Sequence, residues 1–178
     1  MYLRISELVA DERSTPIMSD FKRDRDGYWW FPVTGKGNKN RKITVCHDML
    51  DALKRYRTHL NISPLPSVND KTPVIPKLKG KGAVTSTRHV RLIVQNCFDA
   101  AYEKMAKDGL IDDAEDLRIA TVHWLRHTGI SEDVKSRPRE QVRDDAGHAS
   151  MATTDRYIES DLRDRHESGR EKRIKEIY

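Results

Sequence analysis

Arginine, histidine and tyrosine recur between Ile119 and Tyr157 in an order that suits phosphoryl transfer. His123 and Arg126 stand three residues apart, His148 follows a glycine, and Tyr157 comes nine positions later. A guanidinium holds a phosphate by paired hydrogen bonds, an imidazole moves protons, and a phenol attacks once its proton is taken. This set of groups indicates phosphoryl transfer by a mechanism that needs no metal ion.

Two helices have to position these groups. Residues three apart on a helix point within about 60° of each other, so His123 and Arg126 would reach one phosphate together. Thr121 is placed to cap this helix, and Ser150 to cap a second one that we expect to run through Tyr157. Each piece alone has an ordinary alternative, such as a solvated helix face or a tyrosine that packs near a chain end. The ordered set favours the functional interpretation.

The same stretch resembles the catalytic domain of tyrosine recombinases, the phage-integrase family. The family pattern is His-x-Leu-Arg-His-Thr, then Gly-His-Ser/Ala-Ser, then Thr-Thr-x-x-Tyr, and residues 123–128, 147–150 and 153–157 match it. Two earlier boxes also match, Leu-Arg-x-Ser-Glu-Leu at residues 3–8 and Gly-Lys-Gly-x-Lys-x-Arg at residues 35–41. All boxes occur in the family's order and cover nearly the whole chain.

The resemblance implies an α+β fold, mostly helical with a small three-stranded antiparallel sheet, called the DNA breaking-rejoining fold. It also implies six catalytic residues: two arginines and a histidine that bind the phosphate, a histidine that accepts a proton, a lysine that delivers one, and a tyrosine that attacks. In that order they are Arg4, Arg126, His148, His123, Lys36 and Tyr157. The implied intermediate is a 3′-phosphotyrosyl link that a 5′ hydroxyl reverses, with no cofactor and no metal. The implied partners are double-stranded DNA and three further copies of the chain, in a homotetramer on synapsed DNA.

A basic block occupies the middle of the chain. From Lys36 to Arg91 there are thirteen lysines and arginines, three aspartates and no glutamate, a local net charge of +10 in a chain of formal net charge +5. Such a block is typical of a surface that contacts a phosphate backbone, although a solubilising surface is the alternative. The candidate DNA contacts lie on the expected hairpin tip that carries Lys36 and at a later helix start that faces DNA in the family: Lys39, Arg41, Lys42, Arg88, His89 and Arg91.

Hydrophobic patterning predicts the supporting elements. Three apolar runs separated by turns predict an antiparallel sheet over residues 17–21, 28–33 and 41–45. Beyond the two site helices, further helices are expected at residues 1–10, 48–60, 86–107 and 140–145. Four prolines and two glycines between residues 61 and 82 predict a loop.

At 178 residues the chain is long enough for one domain, expected to be a catalytic domain over residues 1–178. The resemblance implies that a DNA-clamping core-binding domain precedes the first box, so a truncated N-terminus is expected. A charged helical tail over residues 161–178 would dock on a neighbouring protomer or fray, which makes the isolated chain a monomer or a tail-swapped oligomer.

Composition argues against several other classes. No apolar run approaches the ~20 residues that span a bilayer, and no signal-peptide pattern follows Met1, so a cytoplasmic protein without a membrane partner is expected. Cys46 and Cys97 are expected to be reduced core thiols. The histidines show no metal-ligand spacing, so no metal site is expected.

The resulting hypothesis is a site-specific DNA recombinase, an integrase of a mobile genetic element, that cleaves and rejoins DNA. Two alternatives stay open. One is a DNA-binding fragment of an integrase whose site does not cleave. The other is a relaxing enzyme similar to type IB topoisomerases.

Overall fold

The structure is a computed structural model that describes residues 1–35, 39–157, 166 and 169–170. Lys36 and nearly all of the expected tail at residues 161–178 lie outside the described residues. The expectations about that lysine and about a docking tail therefore stay predictions.

A three-stranded antiparallel sheet lies in the first third of the chain. Its strands are β1 (Lys22–Arg23), β2 (Trp29–Thr34) and β3 (Asn40–Thr44), in the spatial order β1-β2-β3. The expected first strand at residues 17–21 is wrong. Met18–Asp20 form a 3-10 turn there, because the Asp20 carboxylate accepts a hydrogen bond of 2.9 Å from the Ile17 backbone N–H, and the strand begins only after the turn.

Six helices follow the sheet in the described part of the chain. They are α1 (His47–His59), α2 (Thr87–Lys107), α3 (Ile111–Ile119), α4 (Val122–Ser136), α5 (Arg139–Ala146) and α6 (Met151–Asp155). Ser86 caps α2 as the sequence predicts, since its side chain accepts from the His89 backbone N–H. Thr121 occupies the cap position of α4, although its side chain makes no capping hydrogen bond.

Several expectations about local structure are wrong. The helix expected to run through Tyr157 ends at Asp155, so the tyrosine lies just beyond α6. Residues 1–10 contain only the 3-10 turn Ile5–Glu7, because the Glu7 carboxylate accepts from the Arg4 backbone N–H and closes the turn early. The acidic stretch after α2 forms α3, which was not anticipated. Both cysteines are free but exposed, so neither is a core thiol.

The apolar core consists of three clusters that meet at residues 1–9. The first cluster joins the sheet to α1 through Phe31, Ile43 and their neighbours, with Leu3 packed against it. In the second, Tyr2 packs with Ile130 of α4 and with two side chains of α5, and in the third Val9 packs against the start of α2. The N-terminal segment therefore ties all three clusters together, and Arg4 stands at the junction.

None of the helices in the described ranges is both long and apolar enough to cross a bilayer.

Candidate active site

The C-terminal end of α5 organises the candidate site. The last carbonyls of a helix have no partner within the helix, and the helix dipole makes that end favourable for cations. The backbone N–H groups of Gly147 and His148 donate hydrogen bonds to the carbonyls of Asp144 and Arg143, respectively. The next three carbonyls, in chain order, each accept from one arginine.

Those three arginines come from three distant parts of the sequence. Arg41 Nε donates to the Asp145 carbonyl at 3.1 Å, Arg126 Nη2 donates to the Ala146 carbonyl at 2.7 Å, and Arg4 Nη2 donates to the Gly147 carbonyl at 3.0 Å. The C-terminal end of α5 thus binds Arg4 of the first box, Arg41 of β3 and Arg126 of α4.

A buried carboxylate holds two of these arginines from the other side. Glu7 accepts two hydrogen bonds of 2.9 Å from Arg41 and one of 3.0 Å from Arg4 Nη1, and its side chain is 3% exposed. Burial raises the pKa of Glu7, but the hydrogen bonds from Arg41 and Arg4 outweigh this, so the pKa lies below its ordinary value. The carboxylate stays ionised and fixes both guanidiniums.

Arg41 therefore differs from the free DNA contact that the sequence suggests. Its side chain is 13% exposed and its guanidinium is engaged by Glu7 and by the end of α5. Its predicted contact with DNA stays a prediction. Through its hydrogen bonds to Glu7 and to the Asp145 carbonyl, Arg41 joins β3 to the first box and to α5.

Arg126 and His148 are in contact. Arg126 Nη1 donates to the Tyr2 carbonyl, and Nη2 lies 3.3 Å from His148 Nε2. Burial lowers the pKa of Arg126, and the positive charge of Arg4 lowers it further. A bound anion would relieve the repulsion between these two guanidiniums. Burial and the charge of Arg126 also lower the pKa of His148 to about 4.

Tyr157 lies against two histidine rings. The centroid of its ring is 5.7 Å from that of His148, nearly parallel at 17°, and 4.6 Å from that of His127, tilted by 47°. The tyrosine is half-buried and packs on the cluster of Tyr2 and Ile130. His148 thus contacts both Tyr157 and Arg126, and the catalytic roles expected of these three residues stay predictions.

The sequence reasoning did not single out His127. It follows Arg126 directly, so a helix turn of about 100° per residue carries its ring to a neighbouring face of α4. His123 lies at the second position of α4 and is exposed, and among the described residues it makes no side-chain hydrogen bond. Only the position of Tyr157 in three dimensions distinguishes the two histidines.

A cleft of about 800 Å³ opens beside this arrangement. Arg4 and His148 line it together with Gly35 and Lys39, the residues on either side of the undescribed segment 36–38. The backbone N–H of Gly35 donates to the Lys39 carbonyl at 2.8 Å. Gly35 and Lys39, which flank Lys36 in the sequence, therefore both lie at this cleft.

The remaining candidate DNA contacts are on the surface. Lys42 and Arg88 are exposed, and so is Arg91. His89 lines a second cavity of about 420 Å³ at the start of α2, where Lys77 and Lys79 also lie. No group of three or more His, Cys, Asp or Glu side chains in the described ranges is arranged to hold a metal ion.

No protein-family model matches the chain. The chain is similar to the tyrosine recombinase XerC of Thermodesulfovibrio yellowstonii (strain ATCC 51303 / DSM 11347 / YP87), with 31% identity over 137 residues. The match takes in 74% of this chain and 40% of the relative. The chain thus spans less than half the length of this curated protein.

Solved recombinase structures have a similar fold. The XerA recombinase superposes with a TM-score of 0.58 at 21% identity, over 97% of this chain and 54% of that one. The XerH site-specific recombinase bound to difH substrate gives 0.53 in a pre-cleavage complex, at 21% identity over 93% of this chain and 43% of XerH. Its post-cleavage complex with palindromic difH gives 0.55, at 19% identity over 93% and 42% of the two chains. These likenesses confirm the α+β fold class expected from the sequence.

Proposed function

Since the chain belongs to the tyrosine recombinase family, we propose that it acts as the catalytic domain of a site-specific DNA recombinase that cleaves and rejoins DNA through a 3′-phosphotyrosyl intermediate. Its partner is double-stranded DNA, and the working assembly is a homotetramer on synapsed DNA in the cytoplasm. The observation that carries the proposal is the gathering of Arg4, Arg126, His148 and Tyr157 around one end of α5.

The arginines bind the scissile phosphate. Each guanidinium has five N–H donors, and in the described part of the chain Arg4 and Arg126 use only some of them on carbonyls, Glu7 and His148. The others are available to phosphate oxygens. Attack on phosphorus adds negative charge to these oxygens, so donors already fixed in place stabilise the transition state more than the ground state.

The chemical step exchanges one phosphate ester for another. The Tyr157 hydroxyl oxygen bonds to phosphorus, its proton passes to His123, and the bond to the 5′ oxygen breaks as Lys36 supplies that oxygen with a proton. The ester energy is kept in the tyrosyl link, so a 5′ hydroxyl from another strand can reverse the step. His148 donates a hydrogen bond to the phosphate throughout.

The exposed cations of the basic block bind phosphates of the DNA backbone. Lys39, Lys42, Arg88 and Arg91 are exposed cations, and Lys39 lines the cleft beside Arg4. Phosphate contacts of this kind fix the position of the duplex and carry no sequence information themselves. Recombination is favoured over supercoil relaxation because the curated relative and the structural neighbours are named recombinases.

Covalent trapping tests the proposal. The full chain is incubated with a pool of duplexes of randomised core sequence, each nicked on one strand so that a short fragment diffuses away after cleavage. Complexes that survive denaturation with detergent are recovered, and their DNA is sequenced and resynthesised. We expect a covalent adduct with wild type and none with Tyr157→Phe.

The control variant is Tyr102→Phe, which alters a tyrosine on α2 whose hydroxyl bonds to Glu115 outside the site. It should form the adduct as wild type does. An adduct that persists in Tyr157→Phe, or DNA binding without any adduct in wild type, contradicts catalysis through this phenol. The second result would identify a DNA-binding protein whose site does not cleave.

A further inference from the structure

Thr154 lies beneath the site and is completely buried. Its side chain is 0% exposed, and its hydroxyl oxygen is 2.9 Å from Nδ1 of His148. Buried polar groups are almost always hydrogen-bonded, and here the partner is the imidazole that faces Arg126. We propose that Thr154 is the positioning residue that sets the orientation and the tautomer of His148, a role that rests on the recombinase function proposed above.

The two nitrogens of His148 face different partners. Nε2 is 3.3 Å from Nη2 of Arg126, and a guanidinium offers N–H donors and no acceptor. Nε2 therefore accepts a hydrogen bond, and the single proton of the neutral ring lies on Nδ1. The Nδ1–H group then donates to the hydroxyl oxygen of Thr154. Because burial lowers the pKa of His148 to about 4, the ring is neutral at neutral pH.

A bound phosphate requires the opposite tautomer. Phosphate oxygens only accept hydrogen bonds, so a neutral His148 donates to one of them only when its proton is on Nε2. Nδ1 then has no proton and needs a donor. A hydroxyl both accepts and donates, so Thr154 can serve either tautomer from the same position. One proton leaves Nδ1 and another arrives at Nε2 from water, with no net change in charge.

Two substitutions separate the hydroxyl from the shape of the side chain. Thr154→Val keeps the branched shape and removes the hydroxyl, whereas Thr154→Ser keeps the hydroxyl and removes the methyl group. Both are made in the full chain and compared with wild type. The melting temperature of each variant reports any general loss of packing.

The first measurement uses the free protein. Histidine labelled with ¹⁵N gives the tautomer of each ring from ¹H–¹⁵N correlation spectra, and His148→Gln identifies the His148 signals. We expect wild type and Thr154→Ser to show the Nδ1–H tautomer with a protected Nδ1 proton. In Thr154→Val that proton should exchange with water and the ring should lose its single tautomer. An unchanged His148 spectrum in Thr154→Val would overturn the proposal.

The second measurement is single-turnover cleavage of the duplex recovered by covalent trapping. Hydrogen-bond partners that orient metal-binding histidines are worth about 10–100-fold in affinity or activity, and we expect Thr154→Val to slow cleavage on that scale without changing the affinity for DNA. Thr154→Ser should stay close to wild type. Equal losses in both variants, in step with their melting temperatures, would indicate a packing role and overturn the proposal. If wild type fails to cleave, the recombinase proposal fails, and the spectra of the free protein still decide the role of Thr154.

Discussion

At Arg126, backbone carbonyls of Tyr2 and Ala146 and one imidazole nitrogen hold the guanidinium before any ligand arrives. Such preorganisation matters because donors that are already fixed need not reorganise when charge develops on a phosphate. Burial, and after it the positive charge of Arg126, lowers the pKa of His148 to about 4, so the imidazole is neutral at neutral pH. The orientation and the protonation state of each of these side chains therefore depend on its neighbour.

Arg126→Ala should lower the rate of DNA cleavage by about 10²–10³-fold, the usual effect of removing one donor to a developing oxyanion. The measurement is single-turnover cleavage of a nicked duplex. Arg118→Ala removes an exposed arginine on α3 that pairs with Glu115, and it should leave the rate unchanged. A rate for Arg126→Ala close to that of the control would exclude the phosphate-binding role.

His148 should make the folded state less stable as the pH falls. Its pKa is lowered from 6.5 to about 4 in the folded protein by burial and then by Arg126, so between these values the unfolded chain binds a proton that the folded chain does not. The free energy of unfolding therefore decreases as the pH falls from about 6.5 to about 4. Below that pH this group causes no further change. Urea unfolding across this range measures the effect.

The comparison for that experiment is the difference between variants. His148→Gln should flatten the pH dependence over this window, whereas His59→Gln, which alters an exposed histidine at the end of α1, should retain it. Parallel curves for wild type and His148→Gln would show that the imidazole is protonated alike in the folded and unfolded states.

Among the elements, α5 has the greatest influence on the site although it is only eight residues long. Gly147 ends it in the left-handed conformation, with φ at +63°, and this turn exposes the carbonyls that receive the three arginines. A Cβ at this position would lie 3.0 Å from the guanidinium of Arg41. Glycine here therefore serves both the backbone turn and the close approach of an arginine.

Gly147→Ala should cost more stability than the left-handed backbone alone explains, and it should slow cleavage. The matched control is Gly109→Ala, whose φ is +84° and whose Cβ would meet no atom within 4 Å. We expect the control to lose about 1–2 kcal/mol in the free energy of unfolding and no activity. Chemical denaturation and the cleavage assay measure both effects. Equal losses of stability, with cleavage intact, would mean that Arg41 can move aside without consequence.

At the scale of the whole molecule, the two ends of α2 differ in charge. Arg88 and Arg91 lie at its start, within the basic block, whereas Lys104 lies near its end beside Asp108. Arg91 and Lys104 are 13 residues apart on α2, so they lie ~20 Å apart along the helix, about two Debye lengths at 0.1 M salt. A phosphate bound at the start of α2, as proposed, would therefore be largely screened from the charge at its other end.

Replacing Arg88 or Arg91 by glutamine should weaken binding to DNA of any sequence. The slope of log Kobs against log salt should fall by about 1 for each phosphate that the variant no longer neutralises. Fluorescence anisotropy with a labelled duplex of mixed sequence measures this slope without knowledge of the target site. Lys104→Gln removes one positive charge from the same helix and should leave the slope unchanged. Equal changes in slope for all three variants would indicate a nonspecific effect of net charge.

Local signals were sufficient for much of the fold. The apolar spacing and Ser86 predicted α2 to within a residue at its start, and the alternating segments around the lysine turn predicted β2 and β3. The first strand was misplaced because the side chain of Asp20 competes for the backbone of Ile17, and such competition is not visible in hydrophobic patterning. The sequence predicts a helix through Tyr157, but α6 ends at Asp155, where the Tyr157 backbone N–H bonds to the Thr154 carbonyl three residues back.

The types and the order of the reactive side chains can be read from the amino-acid sequence alone, because phosphate binding and proton transfer each require particular side chains. The binding of Arg4, Arg41 and Arg126 to the end of α5, and the contact of the His127 ring with Tyr157, follow only from the three-dimensional packing. The physical reason is the range of the interactions. Caps and apolar periodicity act within a turn or two, whereas the hydrogen bond between Arg4 and the Gly147 carbonyl joins residues 143 positions apart and depends on the packing of every element between them.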